Sequence, residues 1–130
     1  MKLAVIGQNS RMLAKLLEQR GVELCAPAEA ELLIPYGGDG TMLGAEREYP
    51  GIRKFPIRDE ETAPLCPKHK VDRQLEELFA GRLAVSRLRR LEAVFGKDRI
   101  CGMNDIFIHN KNNASALRYK IWIDGELYSH

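Results

Sequence analysis

In the first eighty residues, some segments have continuous apolar runs and others have apolar residues at helical spacing. Segments of the two kinds alternate along the chain. Continuous apolar runs predict four short buried strands, at residues 3–7, 22–26, 31–36 and 52–57. Apolar residues at helical spacing predict three helices, which begin near Ser10, Thr41 and Lys70, with Ser10 as the cap of the first. Strands that alternate with helices are typical of an α/β domain with a mostly parallel sheet.

After Gly81 the pattern becomes that of a β protein. Strand-like segments are predicted at residues 83–95, 99–109 and 116–123, although the first also fits helical spacing, and an Asn-rich turn at 110–113 joins the last two. We therefore expect two domains. An α/β domain covers residues 1–80. The beginning of an antiparallel all-β domain covers 81–130, and its open sheet edges require further strands or a second subunit.

Composition and charge indicate which classes of protein and of partner fit this chain. The chain has 130 residues, of which 45% are hydrophobic and 29% charged, as in ordinary globular domains. A formal net charge of +2 gives no electrostatic reason to expect a nucleic-acid partner. Neither a membrane-length apolar stretch nor a signal-peptide pattern is present, and three widely spaced cysteines do not form a disulfide framework. These features predict a cytoplasmic protein without a membrane partner.

The strongest chemical signal is the turn Gly37-Gly38-Asp39-Gly40-Thr41, where the third predicted strand meets a helix. Open α/β sheets bind ligands at this position. Glycines let a ligand approach the backbone, and free amides at a helix start suit phosphate. A carboxylate at Asp39 suits a proton acceptor or a metal ligand. On local features alone, a simple helix cap at Asp39 is equally consistent.

A second polar signal is the adjacent pair Asn104 and Asp105, which enters the otherwise apolar segment 99–109. An amide beside a carboxylate is suited to binding ribose hydroxyls or an adenine edge, and it is also ordinary turn chemistry. Cys66 and His69 have the spacing of a metal-ligand pair. Their further ligands would have to converge from distant positions, so we expect an ordinary loop and no metal-ligating residues.

The turn at residues 37–43, with Met42-Leu43 after its threonine, and the later Asn104-Asp105 pair resemble the NAD kinase (ATP–NAD kinase) family. The order of an α/β domain before a β-rich domain resembles it as well. The resemblance implies transfer of the γ-phosphoryl group of ATP, or of a phosphoryl group of polyphosphate, to the adenosine ribose 2′-hydroxyl of NAD. NADP is the product, and Mg²⁺ neutralises the phosphates.

The resemblance also implies roles for individual residues. Phosphate would be bound by four residues of the turn, namely Gly37, Gly38, Gly40 and Thr41. Asp39 would deprotonate or orient the 2′-hydroxyl. Asn104 and Asp105 would contact NAD, with Asp105 in the place of a more usual glutamate. Homo-oligomers are expected in this family.

Two departures from the family pattern leave other interpretations open. Residues 58–66 replace a Gly-rich turn of the family, and its Thr-Gly-Ser-Thr-Ala-Tyr segment is not reached before His130. We therefore expect the N-terminal portion of a longer protein, or one piece of a cleaved one. We expect it to be inactive alone, and to form a homo-oligomer or to associate with the missing C-terminal part. The alternatives are a kinase of the same superfamily acting on a lipid or sugar hydroxyl, and a non-catalytic nucleotide-binding relative.

Overall fold

The computed structural model of the chain describes residues 1–61, 69–112 and 114–129. They form two compact units, Met1–Ser86 and Arg87–His130. The first contains a parallel sheet with helices and the second contains antiparallel strand pairs, so the predicted fold class is confirmed. None of the helices in the described ranges is both long enough and apolar enough to span a bilayer.

The first unit is built around a three-stranded parallel sheet. Its elements are β1 (Leu3–Ile6), α1 (Ser10–Gln19), a 3₁₀ turn (Pro27–Glu29), β2 (Leu32–Pro35), α2 (Asp39–Glu48), β3 (Arg53–Lys54) and α3 (Val71–Phe79). The strands lie in the order β1-β2-β3. The register places Val5 opposite Ile34, and Leu33 opposite Lys54. Because parallel neighbours need crossover connections, α1 and α2 follow β1 and β2.

Two predicted strands are shorter than expected. Segment 22–26 forms one parallel bridge, from Leu24 to Leu3, because Pro27 starts the 3₁₀ turn directly afterwards. Segment 52–57 has two strand residues, yet it continues beside β2 through a bridge between Tyr36 and Ile57. Pro56 lies between the two strand residues and Ile57, and it has no amide hydrogen to donate to the neighbouring strand.

Both faces of the sheet are covered, because alternate residues of a strand point to opposite sides. One buried cluster joins α1, α3 and one face of the sheet and comprises Leu13, Leu17, Ile34, Tyr36, Ile57 and Leu75. The other packs α2 against the opposite face and comprises Ala4, Ala30, Leu33 and Ala45. Each fully buried leucine contributes about 1.5–3 kcal/mol. This packing leaves the carboxyl ends of the strands accessible, and the turns there carry the polar residues.

The second unit contains two separate hairpins. They are β4 (Leu91–Phe95) with β5 (Asp98–Gly102), and β6 (Ile121–Ile123) with β7 (Glu126–Ser129). The second is closed by Asp124 and Gly125, both with positive φ (51° and 87°), as a two-residue type I′ turn requires.

The three strand predictions after Gly81 are wrong in extent. Residues 83–90 are not strand, because β4 begins only at Leu91. Leu91 pairs with Gly102, so the residues after Gly102 have no partner strand in this hairpin. Segment 116–123 contributes only its last three residues, and these pair with the chain that follows. Asn110 donates to the Ser115 carbonyl (2.5 Å) in a local turn that joins no paired strands, and Asn113 lies outside the described residues.

Candidate functional site

The candidate site lies in the first unit, where the carboxyl ends of the parallel strands meet. Three segments form this edge: the loop from Gly7 to Asn9 after β1, the turn at 37–41 after β2, and residues 58–61 after β3. Backbone contacts hold them together. The Gly37 amide donates to the Ile57 carbonyl (3.0 Å), and the Ile57 amide donates to the Pro35 carbonyl (3.0 Å). The turn is therefore fixed to the chain that leaves β3.

Two glycines are required by close contacts at this edge. A Cβ on Gly37 would lie 2.3 Å from the Thr41 hydroxyl oxygen. Gly7 has a φ of 132°, and a Cβ on it would lie 2.1 Å from the Tyr36 carbonyl oxygen. A side chain at either position would force the turn apart. Gly7 belongs to the site on structural grounds, although the sequence offered no motif around it.

The amides of the turn have different partners. The amides of Thr41 and Met42 donate to the Gly38 carbonyl at 3.0 and 3.4 Å. Those of Gly38, Asp39 and Gly40 have no acceptor within the described part of the chain. Free amides at a helix start, on the positive end of its dipole, are suited to an anion. The expectation that every glycine amide of the turn is free is wrong for Gly37, because the Gly37 amide donates to the Ile57 carbonyl in the segment after β3.

Gly40 differs from Gly37 and Gly7. A Cβ at Gly40 would meet no atom within 4 Å, so the described fold gives no packing reason for a glycine there. Helix interiors favour alanine over glycine by about 1 kcal/mol. The absence of a side chain beside the free amides leaves open space at the helix start, as close approach by a ligand would require.

Asp39 is the first residue of α2, and its side chain is 91% exposed. The helix therefore begins two residues before the predicted start. Gly38 is the N-cap residue, and no side chain caps the helix, so the local interpretation of Asp39 as a cap is wrong. Its carboxylate lies 3.6 Å from the guanidinium of Arg58. The carboxylate is thus presented to solvent, beside a cation and one of the free amides.

A buried polar cluster lies next to this pair. Asp59 is 1% exposed, and its carboxylate accepts hydrogen bonds from the Asn9 side chain (2.7 Å) and the Glu61 amide (3.1 Å). Asn9 also donates to the Glu61 carboxylate (3.1 Å). Asn9 is the N-cap residue of α1, so the prediction that Ser10 caps this helix is wrong; the Asn9 side chain binds across the sheet edge. Buried charge needs such partners.

Tyr36 completes the cluster at the end of β2. It is only 6% exposed. Burial raises the pKa of its hydroxyl, and the negative charges of Asp59, Glu60 and Glu61 and a hydrogen bond to Asp59 raise it further. The hydroxyl therefore stays protonated and serves as a hydrogen-bond donor to Asp59.

The second predicted polar pair lies in the second unit. Asn104 and Asp105 are exposed, and both follow the end of β5 at Gly102. The expectation that they open a strand is wrong, because β5 ends before them. A Cβ on Gly102 would lie 2.4 Å from the Asp105 carbonyl oxygen, so the chain folds back closely on itself here. His109 is exposed, with its ring 5.8 Å from that of Phe107.

Two curated proteins are similar to this chain. The NAD kinase of Clostridium beijerinckii (strain ATCC 51743 / NCIMB 8052) is 28% identical over 111 residues, which cover 78% of this chain and 39% of that protein. The NAD kinase of Hahella chejuensis (strain KCTC 2396) is 26% identical over 106 residues, which cover 74% and 36%. The chain is a distant relative of the NAD kinases.

The family relationship predicted from the two motifs is therefore confirmed, at low identity. The chain spans less than two fifths of the length of the NAD kinases it matches. No protein-family model matches the chain, and no solved structure does.

Sequence reasoning missed Asn9, Arg58 and Asp59 as residues of the site. Residues 58–61 depart from the family pattern, so the resemblance gives them no role. The signal that could have found them is positional, because polar residues directly after neighbouring parallel strands meet at one edge.

The described residues hold no group of three or more His, Cys, Asp or Glu side chains placed to bind a metal ion. Cys66, one residue of the possible metal-ligand pair, lies outside them, while Cys25 and Cys101 are free thiols. A cavity of about 390 Å³ opens elsewhere in the first unit; it is lined by Phe55, Arg73, Gln74, Glu77 and Leu83, and none of the predicted site residues lines it.

Proposed function

We propose that this chain carries the phosphate site of an enzyme that phosphorylates NAD at the adenosine ribose 2′-hydroxyl to give NADP. One observation carries the proposal. The exposed carboxylate of Asp39 stands on the first residue of α2, where three backbone amides have no acceptor in the described chain. Groups suited to bind an anion and to accept a proton thus occur within one turn of helix, and both similar proteins are NAD kinases.

The amides of Gly38, Asp39 and Gly40 bind phosphate oxygens, and the positive end of the α2 dipole adds to the attraction. Gly37 and Thr41 hold the shape of the turn, because the Gly37 amide donates to the Ile57 carbonyl and the Thr41 amide donates to the Gly38 carbonyl. Most of the catalytic effect comes from this positioning, since phosphoryl transfer needs little covalent chemistry from the protein.

Asp39 takes the proton of the 2′-hydroxyl or orients that hydroxyl for attack. The new bond joins O2′ to the transferred phosphorus, and the bond from that phosphorus to its leaving oxygen breaks. With ATP as donor the leaving group is ADP; with polyphosphate it is the shortened chain.

Mg²⁺ fits this donor set. It is commonly held by one or two carboxylates together with substrate phosphate oxygens, and Asp39 offers one exposed carboxylate beside the phosphate amides. The ion supplies charge neutralisation on the transferring group.

In the second unit, Asn104 and Asp105 contact NAD through their amide and carboxylate groups. Association with a second copy or with the rest of a longer enzyme is supported by the exposed apolar side chains of this unit, which include Phe95, Phe107 and Trp122.

The test is NADP formation from NAD with ATP or polyphosphate and Mg²⁺, using the 130-residue chain and the protein extended along its reading frame. Asp39→Asn is compared with Asp72→Asn, which removes another carboxylate paired with an arginine in the first turn of a helix. We expect Asp39→Asn to lower kcat by about 10²–10⁴-fold and the control to leave it unchanged.

Failure of the folded proteins to form NADP would overturn the proposal. NADH and lipid or sugar hydroxyls are assayed in parallel, because residues 58–61 depart from the family pattern and a change of acceptor is the second candidate function. Nucleotide binding without turnover of any acceptor would identify a non-catalytic relative.

A further inference from the structure

Arg58 is the cation paired with Asp39, and another anion can take the place of Asp39 in this pair. Its guanidinium lies 3.6 Å from the Asp39 carboxylate, and the two side chains are 49% and 91% exposed. Ion pairs this exposed contribute little to stability. A stronger anion that arrives at the same place can therefore displace Asp39 from the guanidinium at small cost.

The backbone that carries Arg58 is held on both sides. Before it, Ile57 is fully buried and exchanges backbone hydrogen bonds with Pro35 and Gly37. After it, the buried Asp59 carboxylate accepts from Asn9 and from the backbone amide of Glu61. The Arg58 backbone is therefore held beside the turn at 37–41, and its half-exposed side chain can change partner.

We propose that Arg58 is a phosphate-binding residue of this site, which exchanges Asp39 for a phosphate oxygen of the bound nucleotide, and that Asp59 and Asn9 are the residues that position it. The proposal rests on the proposed function in placing a nucleotide phosphate at the start of α2. A guanidinium suits phosphate because its planar donors form paired hydrogen bonds with two oxygens. Asp39 carries both the carboxylate now paired with Arg58 and one of the free amides.

An order of events follows from this exchange. In the free protein, Arg58 attracts the carboxylate that the reaction needs. When phosphate takes the guanidinium, the Asp39 carboxylate is released toward the acceptor hydroxyl. The chain thus couples binding of the phosphate to availability of its proton acceptor.

The test is equilibrium binding of inorganic tripolyphosphate, and of ATP with Mg²⁺, to the 130-residue chain. Arg58→Gln is compared with Arg53→Gln, which removes an exposed arginine from β3 in the same segment. We expect Arg58→Gln to weaken binding by about tenfold or more, as loss of a charge-assisted hydrogen bond does, and Arg53→Gln to have no effect. The affinity of Arg58→Lys should lie between those of wild type and Arg58→Gln, because lysine retains the charge but lacks the paired donors.

Two further variants separate the roles. Asp39→Asn removes the competing carboxylate, so it should tighten tripolyphosphate binding even though it lowers kcat. Asn9→Ala should weaken binding through Arg58, and its effect should therefore disappear in the Arg58→Gln background, as coupling in a double-mutant cycle. Circular dichroism of each variant confirms that it is folded.

Each outcome decides one point. Equal affinity in wild type, Arg58→Gln and Arg53→Gln overturns the phosphate role of Arg58, whether or not NADP is formed. A loss confined to Arg58→Gln, when neither the 130-residue chain nor the extended protein forms NADP, supports that role and overturns only the kinase proposal. Effects of Asn9→Ala and Arg58→Gln that simply add overturn the positioning role of Asn9. A folded wild type that binds neither ligand overturns the phosphate site itself.

Discussion

The side-chain amide of Asn9 donates a hydrogen bond of 2.7 Å to the carboxylate of Asp59, and this contact joins the loop after β1 to the segment after β3. The two residues are fifty positions apart in the chain. Asp59 is buried, so its charge depends on the donors around it. The segment after β3 also contains Arg58, whose guanidinium lies 3.6 Å from the Asp39 carboxylate. The Asn9–Asp59 contact and the candidate phosphate-binding residue therefore belong to one stretch of backbone.

Replacing Asn9 by alanine should destabilise the fold by about 1–3 kcal/mol, because the buried Asp59 carboxylate then loses a donor. Urea denaturation followed by circular dichroism measures this change. Gln8→Ala, an exposed neighbour in the same turn, is the control and should change stability by less than about 0.5 kcal/mol. Equal effects of the two substitutions would contradict a special role for the Asn9–Asp59 contact.

The pKa of Tyr36 predicts how stability depends on alkaline pH. Burial, followed by nearby carboxylates, raises this pKa above its ordinary value of 10.0, so the folded state holds the proton more tightly than the unfolded state. The resulting stabilisation is complete below pH 10 and is lost as pH rises through the folded-state pKa. We expect Tyr36→Phe to make the alkaline fall in unfolding free energy shallower.

The matched control for this pH series is Tyr119→Phe, since Tyr119 is 58% exposed in the second unit. Tyr36→Phe also removes a hydrogen bond to Asp59, so it should lower stability at neutral pH by about 1 kcal/mol. If the unfolding free energy of Tyr36→Phe falls with alkaline pH as steeply as that of wild type, a group other than Tyr36 causes the fall.

Two glycines of the turn should respond differently to alanine. Gly37→Ala places a Cβ 2.3 Å from the Thr41 hydroxyl oxygen and should destabilise the fold by about 1–3 kcal/mol. Gly40→Ala meets no atom within 4 Å and should leave stability unchanged or raise it by up to about 1 kcal/mol.

Thermal denaturation and tripolyphosphate binding are measured on both glycine variants. We expect Gly40→Ala to weaken binding without destabilising the fold, because its methyl group stands beside the free amides. If Gly40→Ala binds as tightly as wild type, the space at Gly40 is not used by the phosphate.

Lys54 in β3 and Glu46 in α2 form an ion pair that joins the helix to the sheet, with side chains that are 4% and 17% exposed. Lys54→Met should destabilise the fold by about 3–5 kcal/mol, because it leaves the Glu46 carboxylate without its cation. The double variant Lys54→Met with Glu46→Leu should recover much of this loss. Chemical denaturation of the two single variants and the double variant tests the coupling, and additive losses would contradict it.

Patterns in the sequence alone predict the α/β order of the first unit and the position of the turn at 37–41. Those features depend on local patterns: apolar runs, helical spacing, and glycines where a strand meets a helix. The family resemblance likewise rests on two short motifs, the turn at 37–43 and the Asn104-Asp105 pair, and on their order in the chain. Local preference and tertiary structure agree there, so prediction from sequence was sufficient.

Strand extent in the second unit was decided by pairing. Residues 103–109 are apolar enough for a strand, but β4 begins only at Leu91 and leaves them without a partner. The Asp124-Gly125 turn returns the chain onto β6, whereas the expected turn at 110–113 joins no paired strands. A strand exists only where a neighbour supplies its hydrogen bonds, and a single segment does not reveal its neighbour.

The tertiary structure also decided the chemistry at the sheet edge. The Gly37 amide is bonded to Ile57, Asp59 is buried against Asn9, and Arg58 lies beside Asp39. Each contact joins segments that are distant in sequence, because parallel strands bring their carboxyl ends to one edge. Residue types along the chain indicated where a ligand could bind, but only the packing of these segments determined which groups are free to bind it.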